Sequence, residues 1–192
     1  MTLQAWAVLF GAYLLGSIPS AYLVARLVAR VDIRQVGNGN MGAKNTFESV
    51  GKLAGLVVAA ADIAKGALGV VMARQFELPE NVVMLAGACI VLGHDFPIFV
   101  RFRGGQGMAA IVGVFGVLFP RETGIALLVL GLVLLITHNW DLSCGICFGL
   151  LPILLWLTGQ PPRRVFYPVF LLPTIGLKKL MQAWQARRAV AH

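Results

Sequence analysis

Long runs of apolar residues, separated by short polar segments, dominate this sequence. Seven such runs fall at residues 3–28, 53–73, 81–100, 108–119, 124–138, 142–158 and 165–181. A helix needs about 20 apolar residues to cross a bilayer, and the first three runs easily reach that length. The fourth run is short, so five or six spans remain alternatives. The pattern predicts an all-α integral membrane protein, a polytopic bundle of about seven transmembrane helices.

Composition extends this prediction to the whole chain. Of its 192 residues, 58% are hydrophobic and 12% are charged, whereas soluble domains carry about 25% charged residues. Because no repeat, low-complexity tract or soluble domain is visible, residues 1–192 are predicted to form a single transmembrane domain. Arg26 and Arg30 follow the first run, which lacks a small-residue cleavage motif. This run is therefore predicted to be a retained span rather than a signal peptide.

The basic residues predict an orientation. With seven spans, one side receives eleven of them, namely Arg26, Arg30, Arg34, Lys44, Lys52, Arg101, Arg103, Lys178, Lys179, Arg187 and Arg188. The other side receives only Arg74, Arg121, Arg163 and Arg164. Basic loops stay in the cytoplasm, so the N-terminus is predicted outside and the C-terminus in the cytoplasm. The net charge of +8 then indicates contact with anionic lipid in the cell (inner or plasma) membrane, and no nucleic-acid partner.

Several polar residues lie inside the apolar runs, where they cost free energy. Asp62 and Lys65 are spaced i, i+3, so they share one helical face and can pair. Ionisable residues at membrane depth indicate function, although a neutral pair that tethers helices is an equal alternative. His94 lies near the inner end of the third run and is an interface residue or a general base. Cys144 and Cys147 form a C-x-x-C pair without a second pair or a histidine beside it, which predicts packing residues and no metal site.

Two glycine-rich segments lie on the same predicted side. Residues 37–45, "GNGNMGAKN", match the G-x-G-x-x-G fingerprint, but they follow only "VDIRQV" between two spans. A dinucleotide site needs a βαβ unit, so that reading is rejected. Residues 101–110 read "RFRGGQGMAA". Glycine-dense backbone forms anion nests and arginine suits phosphate, so the two loops are predicted to meet near Ser20 and His94 around a phosphate-bearing ligand.

The segments "GSIPSAYLVARL", "VGNGNMGAKN" and "GHDFPIFVRFRGGQGMAA" resemble, in order and spacing, the three signature segments of the PlsY family. The resemblance implies transfer of an acyl group from acyl-phosphate to glycerol 3-phosphate, giving lysophosphatidic acid for phospholipid synthesis. It implies seven helices with the N-terminus outside, and no metal, nucleotide or other cofactor. Catalytic roles are expected for His94, Arg103 and Asn45. Substrate and phosphate contacts are expected from Ser17, Ser20, Gly37, Asn38, Gly39, Asn40, Gly42, Lys44, Gly104, Gly105, Gln106 and Gly107.

The chain differs from the family at several positions that are expected to contact the substrate phosphate. Asn38 replaces a serine, Lys44 a threonine, and Gln106 a lysine of the third segment, where Arg103 also replaces a lysine. Glu48 replaces an arginine that binds substrate phosphate, and residues 172–176, "LPTIG", stand where the family has an arginine–histidine segment. The residues that shape the backbone are retained, whereas those that would hold phosphate are largely changed.

Three functions are therefore compared. The first is an active acyltransferase with a rearranged site, and it is favoured as the function of the family. The second is a catalytically degenerate member that acts as a structural or lipid-binding subunit of a larger membrane complex, with protein partners. The third is a small-solute transporter with glycine-broken helices, which the lack of internal symmetry disfavours.

Overall fold

The computed structural model describes the backbone of residues 1–190 and the side chains of residues 1–176, 178 and 180. All secondary structure in this part of the chain is helical, as predicted. The helices are α1 (Leu3–Gly16), α2 (Ser20–Ala29), α3 (Ala43–Ser49), α4 (Lys52–Gln75), α5 (Glu80–Asp95), α6 (Met108–Leu118), α7 (Pro120–Thr137), α8 (Trp140–Leu157) and α9 (Pro162–Val190). Lys179, Arg187 and Arg188, which the orientation argument used, have side chains outside the described residues.

Five helical segments are long and apolar enough to cross a membrane. They are Leu3–Ala29, Lys52–Gln75, Glu80–Val100, Pro120–Thr137 and Trp140–Leu157. The fourth predicted run forms α6, which has only 11 residues and is therefore about 16 Å long. The chain is thus a multi-pass membrane protein.

The first span is broken at residues 17–19. Helix α1 ends at Gly16 and α2 begins at Ser20, with Pro19 immediately before it. Proline has no backbone N–H, and its ring disfavours helical backbone at the preceding residue, Ile18. The break leaves the Ile18 carbonyl oxygen available to a partner outside the helix.

Helix α4 is central, and it packs most extensively against α6. Small residues permit this close approach. A Cβ atom at Gly66 would overlap the carbonyl oxygen of Ala110, and one at Gly113 would overlap that of Ile63. Membrane helices associate through such small-residue surfaces because no hydrophobic effect drives them together in lipid.

Polar contacts hold α9 against both ends of α5. Near the start of α9, Arg163 and Arg164 both form ion pairs with Glu80. Further along α9, Lys178 donates a hydrogen bond of 2.5 Å to the carbonyl oxygen of Asp95. Glu80 begins α5 and Asp95 ends it, so α9 runs parallel to α5.

Candidate functional site

The two glycine-rich loops meet at His94. The Gly105 N–H group donates a hydrogen bond of 3.2 Å to the carbonyl oxygen of His94. A Cβ atom at Gly105 would overlap Nε2 of the His94 imidazole and would lie 2.9 Å from the carbonyl oxygen of Met41. Glycine is therefore required where the second loop passes between the histidine and the first loop. We call the end of the bundle that carries both loops the loop end.

The first loop is held together by Asn45, which is fully buried. Its amide nitrogen donates to three backbone carbonyl oxygens, and its amide oxygen accepts from a backbone N–H and a hydroxyl; the partners are Ile33, Val36, Asn40, Asn38 and Ser49. Every hydrogen-bonding atom of the side chain is thus engaged within the protein. These contacts show that Asn45 holds the first loop together, and the catalytic role expected of it stays a prediction.

A chain of buried polar groups runs beneath the loops. Asp62 is 2% exposed and Lys65 is 6% exposed, and the carboxylate and ammonium lie 2.9 Å apart. Lys65 also donates a hydrogen bond of 3.0 Å to the Ile18 carbonyl oxygen. On the other side, the same Asp62 oxygen lies 3.5 Å from Nδ1 of His94. The carboxylate therefore contacts one ring nitrogen of His94, and Gly105 lies beside the other.

A cavity of 260 Å³, which we call the His94 cavity, opens between the loops and α4 to α8. Its polar wall contains residues from both loops and from the buried chain, namely Asn40, Gly42, Lys44, Asp62, His94, Gln106 and Gly107. Its remaining wall is largely apolar and includes Ile63, Met108, Val112, Leu127, Leu130, Trp140 and Phe148. One cavity thus offers polar groups at the loop end and an apolar surface beside them.

An adjoining cavity of 390 Å³ shares Ala43, Lys44, Ala59 and Trp140 with the first. Glu48 lies on its wall, among the apolar side chains of Phe47, Leu56 and Leu134. The Lys44 ammonium lies 3.8 Å from the carboxylate of Asp141, and both side chains are exposed. An exposed pair of this kind contributes roughly 1 kcal/mol or less, so Lys44 can exchange Asp141 for another anion.

Arg103 lies elsewhere, on a cavity of 630 Å³ that shares no lining residue with the His94 cavity. Arg103 and His94 therefore line different cavities, and the catalytic role expected of Arg103 stays a prediction. In this second cavity, the Arg34 guanidinium donates two hydrogen bonds to Asp32, of 2.9 and 2.7 Å. These bonds lower the pKa of Asp32 to about 2.

The other expected contact residues lie around the His94 cavity without lining it. Ser17 is fully buried and its hydroxyl donates to the Tyr13 carbonyl oxygen at 2.8 Å. Ser20 is buried at the first position of α2. The Asn38 side chain accepts a hydrogen bond of 2.9 Å from the Asn40 N–H group and so closes a turn within the loop. Four glycines of the two loops, Gly37, Gly39, Gly104 and Gly105, are likewise absent from the cavity wall.

Sequence reasoning missed the apolar wall and one buried acid. Leu127, Leu130 and Phe148 resemble ordinary span residues, so no sequence signal could identify them. Asp95 is fully buried, and its carboxylate oxygens make no hydrogen bond to the described residues. One of these oxygens lies close to Gly107, at the N-terminus of α6, where the helix dipole stabilises negative charge.

Known proteins with similar sequences identify the family of this chain. A family model described as glycerol-3-phosphate acyltransferase matches residues 6–189. Glycerol-3-phosphate acyltransferase 1 of Dehalococcoides mccartyi is 42% identical over 86% of this chain and 83% of its own length. Glycerol-3-phosphate acyltransferase of Geotalea daltonii is 37% identical over 88% of this chain and 87% of its own length.

Solved structures of PlsY, an integral membrane glycerol 3-phosphate acyltransferase, also match. The glycerol 3-phosphate form superposes with a TM-score of 0.86 at 29% identity, covering 97% of this chain and 93% of PlsY. The lysophosphatidic acid form gives a TM-score of 0.82 at 27% identity, covering 96% and 93%. The resemblance seen in the three sequence motifs is thereby confirmed, and the chain belongs to the glycerol-3-phosphate acyltransferase family.

Proposed function

We propose that this protein transfers an acyl group from acyl-phosphate to glycerol 3-phosphate and so forms lysophosphatidic acid. The observation that carries the proposal is the His94 cavity, in which a histidine, a lysine and two amide side chains lie next to a long apolar wall. Such a cavity suits one small polar substrate and one acyl chain. Relatives named for this activity, and PlsY structures described as its acceptor and product forms, support the same reaction.

The acceptor phosphate is proposed to bind at the polar end. Lys44 supplies a positive charge there, and the N-terminus of α6 begins next to Gly107 on the same wall. Backbone N–H groups at a helix N-terminus attract phosphate, and the helix dipole adds to that attraction. The acyl chain is proposed to lie along Leu127, Leu130 and Phe148, which belong to α7 and α8.

The proposed reaction needs one proton transfer. A glycerol hydroxyl attacks the acyl carbonyl carbon, the new ester C–O bond forms, and the bond to phosphate breaks. His94 Nε2 accepts the hydroxyl proton, and Asp62 stabilises the imidazolium through Nδ1. Inorganic phosphate leaves with the electron pair, so the acyl-phosphate itself supplies the driving force. No metal, nucleotide or other cofactor enters this scheme.

A second candidate is a catalytically degenerate subunit that binds lipid within a larger membrane complex. Glu48 favours it, because this carboxylate lies on the wall next to Lys44, where a phosphate dianion would approach. The turn that occupies the Asn38 side chain favours it as well. Loss of one charged hydrogen-bond partner of the phosphate weakens binding by roughly 2–5 kcal/mol. Two such losses are enough to reduce acyl transfer below detection.

We further propose that residues 1–192 form one transmembrane domain with seven crossings, an external N-terminus and a cytoplasmic C-terminus. Five crossings are the candidate spans given above, and α6 and α9 supply the other two. The contact between Lys44 and Asp141 supports a crossing by α6, because it brings the start of α8 back to the loop end. The contact between Lys178 and Asp95 supports a crossing by α9.

An assay of the purified protein in detergent tests the function. Palmitoyl-phosphate and radiolabelled glycerol 3-phosphate are supplied, and lysophosphatidic acid is extracted and counted, with the Geotalea daltonii relative as a positive control. We expect product that requires acyl-phosphate and is not formed from acyl-coenzyme A. Product at background level, with an active control, would reject the enzyme and leave the degenerate subunit.

A further inference from the structure

The largest of the cavities described here lies away from the His94 cavity, at the same end of the bundle. It measures 630 Å³, and we call it the arginine cavity. Its lining combines three arginines with one carboxylate, two aromatic rings and two further side chains, namely Arg34, Arg101, Arg103, Asp32, Tyr22, Phe99, Gln35 and Val100. Nothing in the proposed acyl transfer uses this cavity.

The positive charge of the arginine cavity is only partly balanced. Its one carboxylate, Asp32, is held by Arg34 at 2.7 Å, and Arg26 approaches the same oxygen at 3.9 Å. The guanidinium groups of Arg34 and Arg26 also lie near the Tyr22 ring, at 5.2 and 5.4 Å from its centroid, respectively. Arg101 and Arg103 are exposed, and within the described side chains they have no hydrogen-bond or ion-pair partner. Two guanidinium groups are therefore available to an anion.

A constrained turn presents these two arginines. Arg101 has φ of 58° and Phe102 has φ of 60°, a left-handed conformation that non-glycine residues adopt rarely. Hydrogen bonds from the Phe102 N–H group to Pro97, of 2.9 Å, and from the Arg103 N–H group to Val100, of 3.3 Å, close the turn. The backbone thus holds Arg101 and Phe102 in an uncommon conformation, between Pro97 and the two glycines at 104 and 105.

Exposed aromatic residues place this cavity near lipid. Phe99 is 62% exposed and Phe102 is 55% exposed, next to the two arginines. Leu27 of α2, the helix that carries Tyr22, is also exposed. Aromatic rings beside basic side chains are typical of the membrane–water interface, where rings reach the acyl boundary and charges reach the headgroups.

We propose that the arginine cavity binds the phosphate of an anionic membrane lipid, as a site separate from the His94 cavity. Guanidinium groups hold phosphate oxygens through paired hydrogen bonds, and Arg101 and Arg103 have such donors available. A soluble phosphate offers the same chemistry but has no acyl chains to contact Phe99 and Phe102. The apolar surroundings therefore favour a lipid as the source of the phosphate.

Native mass spectrometry of the full-length protein in detergent tests the proposal. The protein is titrated with phosphatidic acid, phosphatidylglycerol or phosphatidylcholine, and bound lipid is counted for the wild type and for R101Q/R103Q. The matched control is R74Q/R121Q, which removes two exposed arginines at the end of α4 and the start of α7, away from the loop end. A parallel arm follows the melting temperature of each protein during titration with inorganic phosphate.

We expect the anionic lipids to bind R101Q/R103Q at least about ten-fold more weakly than the wild type, because the variant lacks two positive charges that attract the headgroup. R74Q/R121Q should bind like the wild type, phosphatidylcholine should bind weakly to all, and wild-type binding of anionic lipid should fall with salt. Equal lipid binding by the two double variants would overturn the proposal. If R101Q/R103Q bound inorganic phosphate more weakly than the wild type but bound lipid equally well, the proposal would also be overturned. The cavity would then be a site for a soluble anion. R101K/R103K, which keeps the charge but lacks the paired guanidinium donors, should bind anionic lipid more tightly than R101Q/R103Q and more weakly than the wild type.

Discussion

The ammonium group of Lys65 donates a hydrogen bond of 3.0 Å to the carbonyl oxygen of Ile18, the residue at which the first span is broken. Lys65 thereby ties α4 to the junction of α1 and α2. Its charge is balanced by Asp62, which in turn contacts His94. A single buried chain thus connects a broken helix to the candidate base.

This chain makes Lys65→Met a test of stability. The variant removes a donor and leaves the Asp62 carboxylate buried without its cation, a change that costs about 3–5 kcal/mol. We expect a clearly lower melting temperature in detergent, and recovery of part of the loss in D62N/K65M. Lys52→Met, at the exposed start of the same helix, is the control. Equal melting temperatures for K65M and K52M would contradict the role given to the buried pair.

Gly105→Ala tests the meeting of the two loops. The added Cβ atom would overlap the His94 imidazole and crowd the Met41 carbonyl oxygen, so His94 must shift. We expect acyl transfer to fall at least about ten-fold, since small misplacements of a catalytic group can cost more than that. Gly116→Ala, on α6, meets no atom within 4 Å and should retain wild-type activity. If G105A matched G116A in rate, His94 would not be the base.

The sequence predicted the helical membrane fold because an apolar run of about 20 residues is typical of a transmembrane helix. It did not predict the break at Ile18, although Pro19 marks that position, because the run reads as continuous when only hydropathy is considered. Helix α6 was read as a short span, and the structure explains its length. Helix α6 ends at Leu118 and α7 begins at Pro120, so only Phe119 lies between them.

The candidate site was predictable only in part. The glycine loops and His94 stand out because glycine clusters and ionisable residues are unusual near a membrane. Arg103 and His94 line different cavities, because residues close in sequence can face different surfaces, and the catalytic role of Arg103 stays a prediction. Leu127 and Phe148 carry no local signal, since only the packing of α7 and α8 brings them to His94.

Lys44→Ala tests the proposed acceptor site. Lys44 is the one lysine or arginine on the described wall of the His94 cavity, so its loss should weaken binding of the glycerol 3-phosphate dianion. We expect the Michaelis constant for glycerol 3-phosphate to rise about ten-fold, the effect of roughly 1.4 kcal/mol. The constant for acyl-phosphate should change less. A change in the Michaelis constant for acyl-phosphate alone would show that glycerol 3-phosphate binds elsewhere.

The double variant E48R/Q106K tests whether charge limits the reaction. Glu48 and Gln106 stand where the family resemblance expects an arginine and a lysine, and both line the paired cavities. Replacing one negative charge and adding two positive charges should strengthen phosphate binding and raise kcat/KM for glycerol 3-phosphate. E48Q, which only removes the negative charge, should give a smaller gain. A decrease in both variants would show that the cavity is adapted to a different acceptor.

Stability at acid pH should report on Asp32. Its pKa in the folded protein is about 2, well below the usual value for an aspartate, chiefly because Arg34 hydrogen-bonds the carboxylate. The stabilisation is therefore complete above about pH 4 and is lost as the pH falls through about 2. D32N should melt below the wild type at pH 7, and the difference should shrink between pH 4 and pH 2. A difference independent of pH would exclude the ion pair as its cause.

The rate of lysophosphatidic acid formation by the wild type and by His94→Gln, measured side by side at saturating acyl-phosphate and glycerol 3-phosphate, tests the central claim most directly. We expect measurable product from the wild type and a fall of about 10²-fold or more in H94Q, the usual contribution of a general base. The melting temperatures should stay similar. Equal rates for the two proteins would contradict a reaction at the His94 cavity.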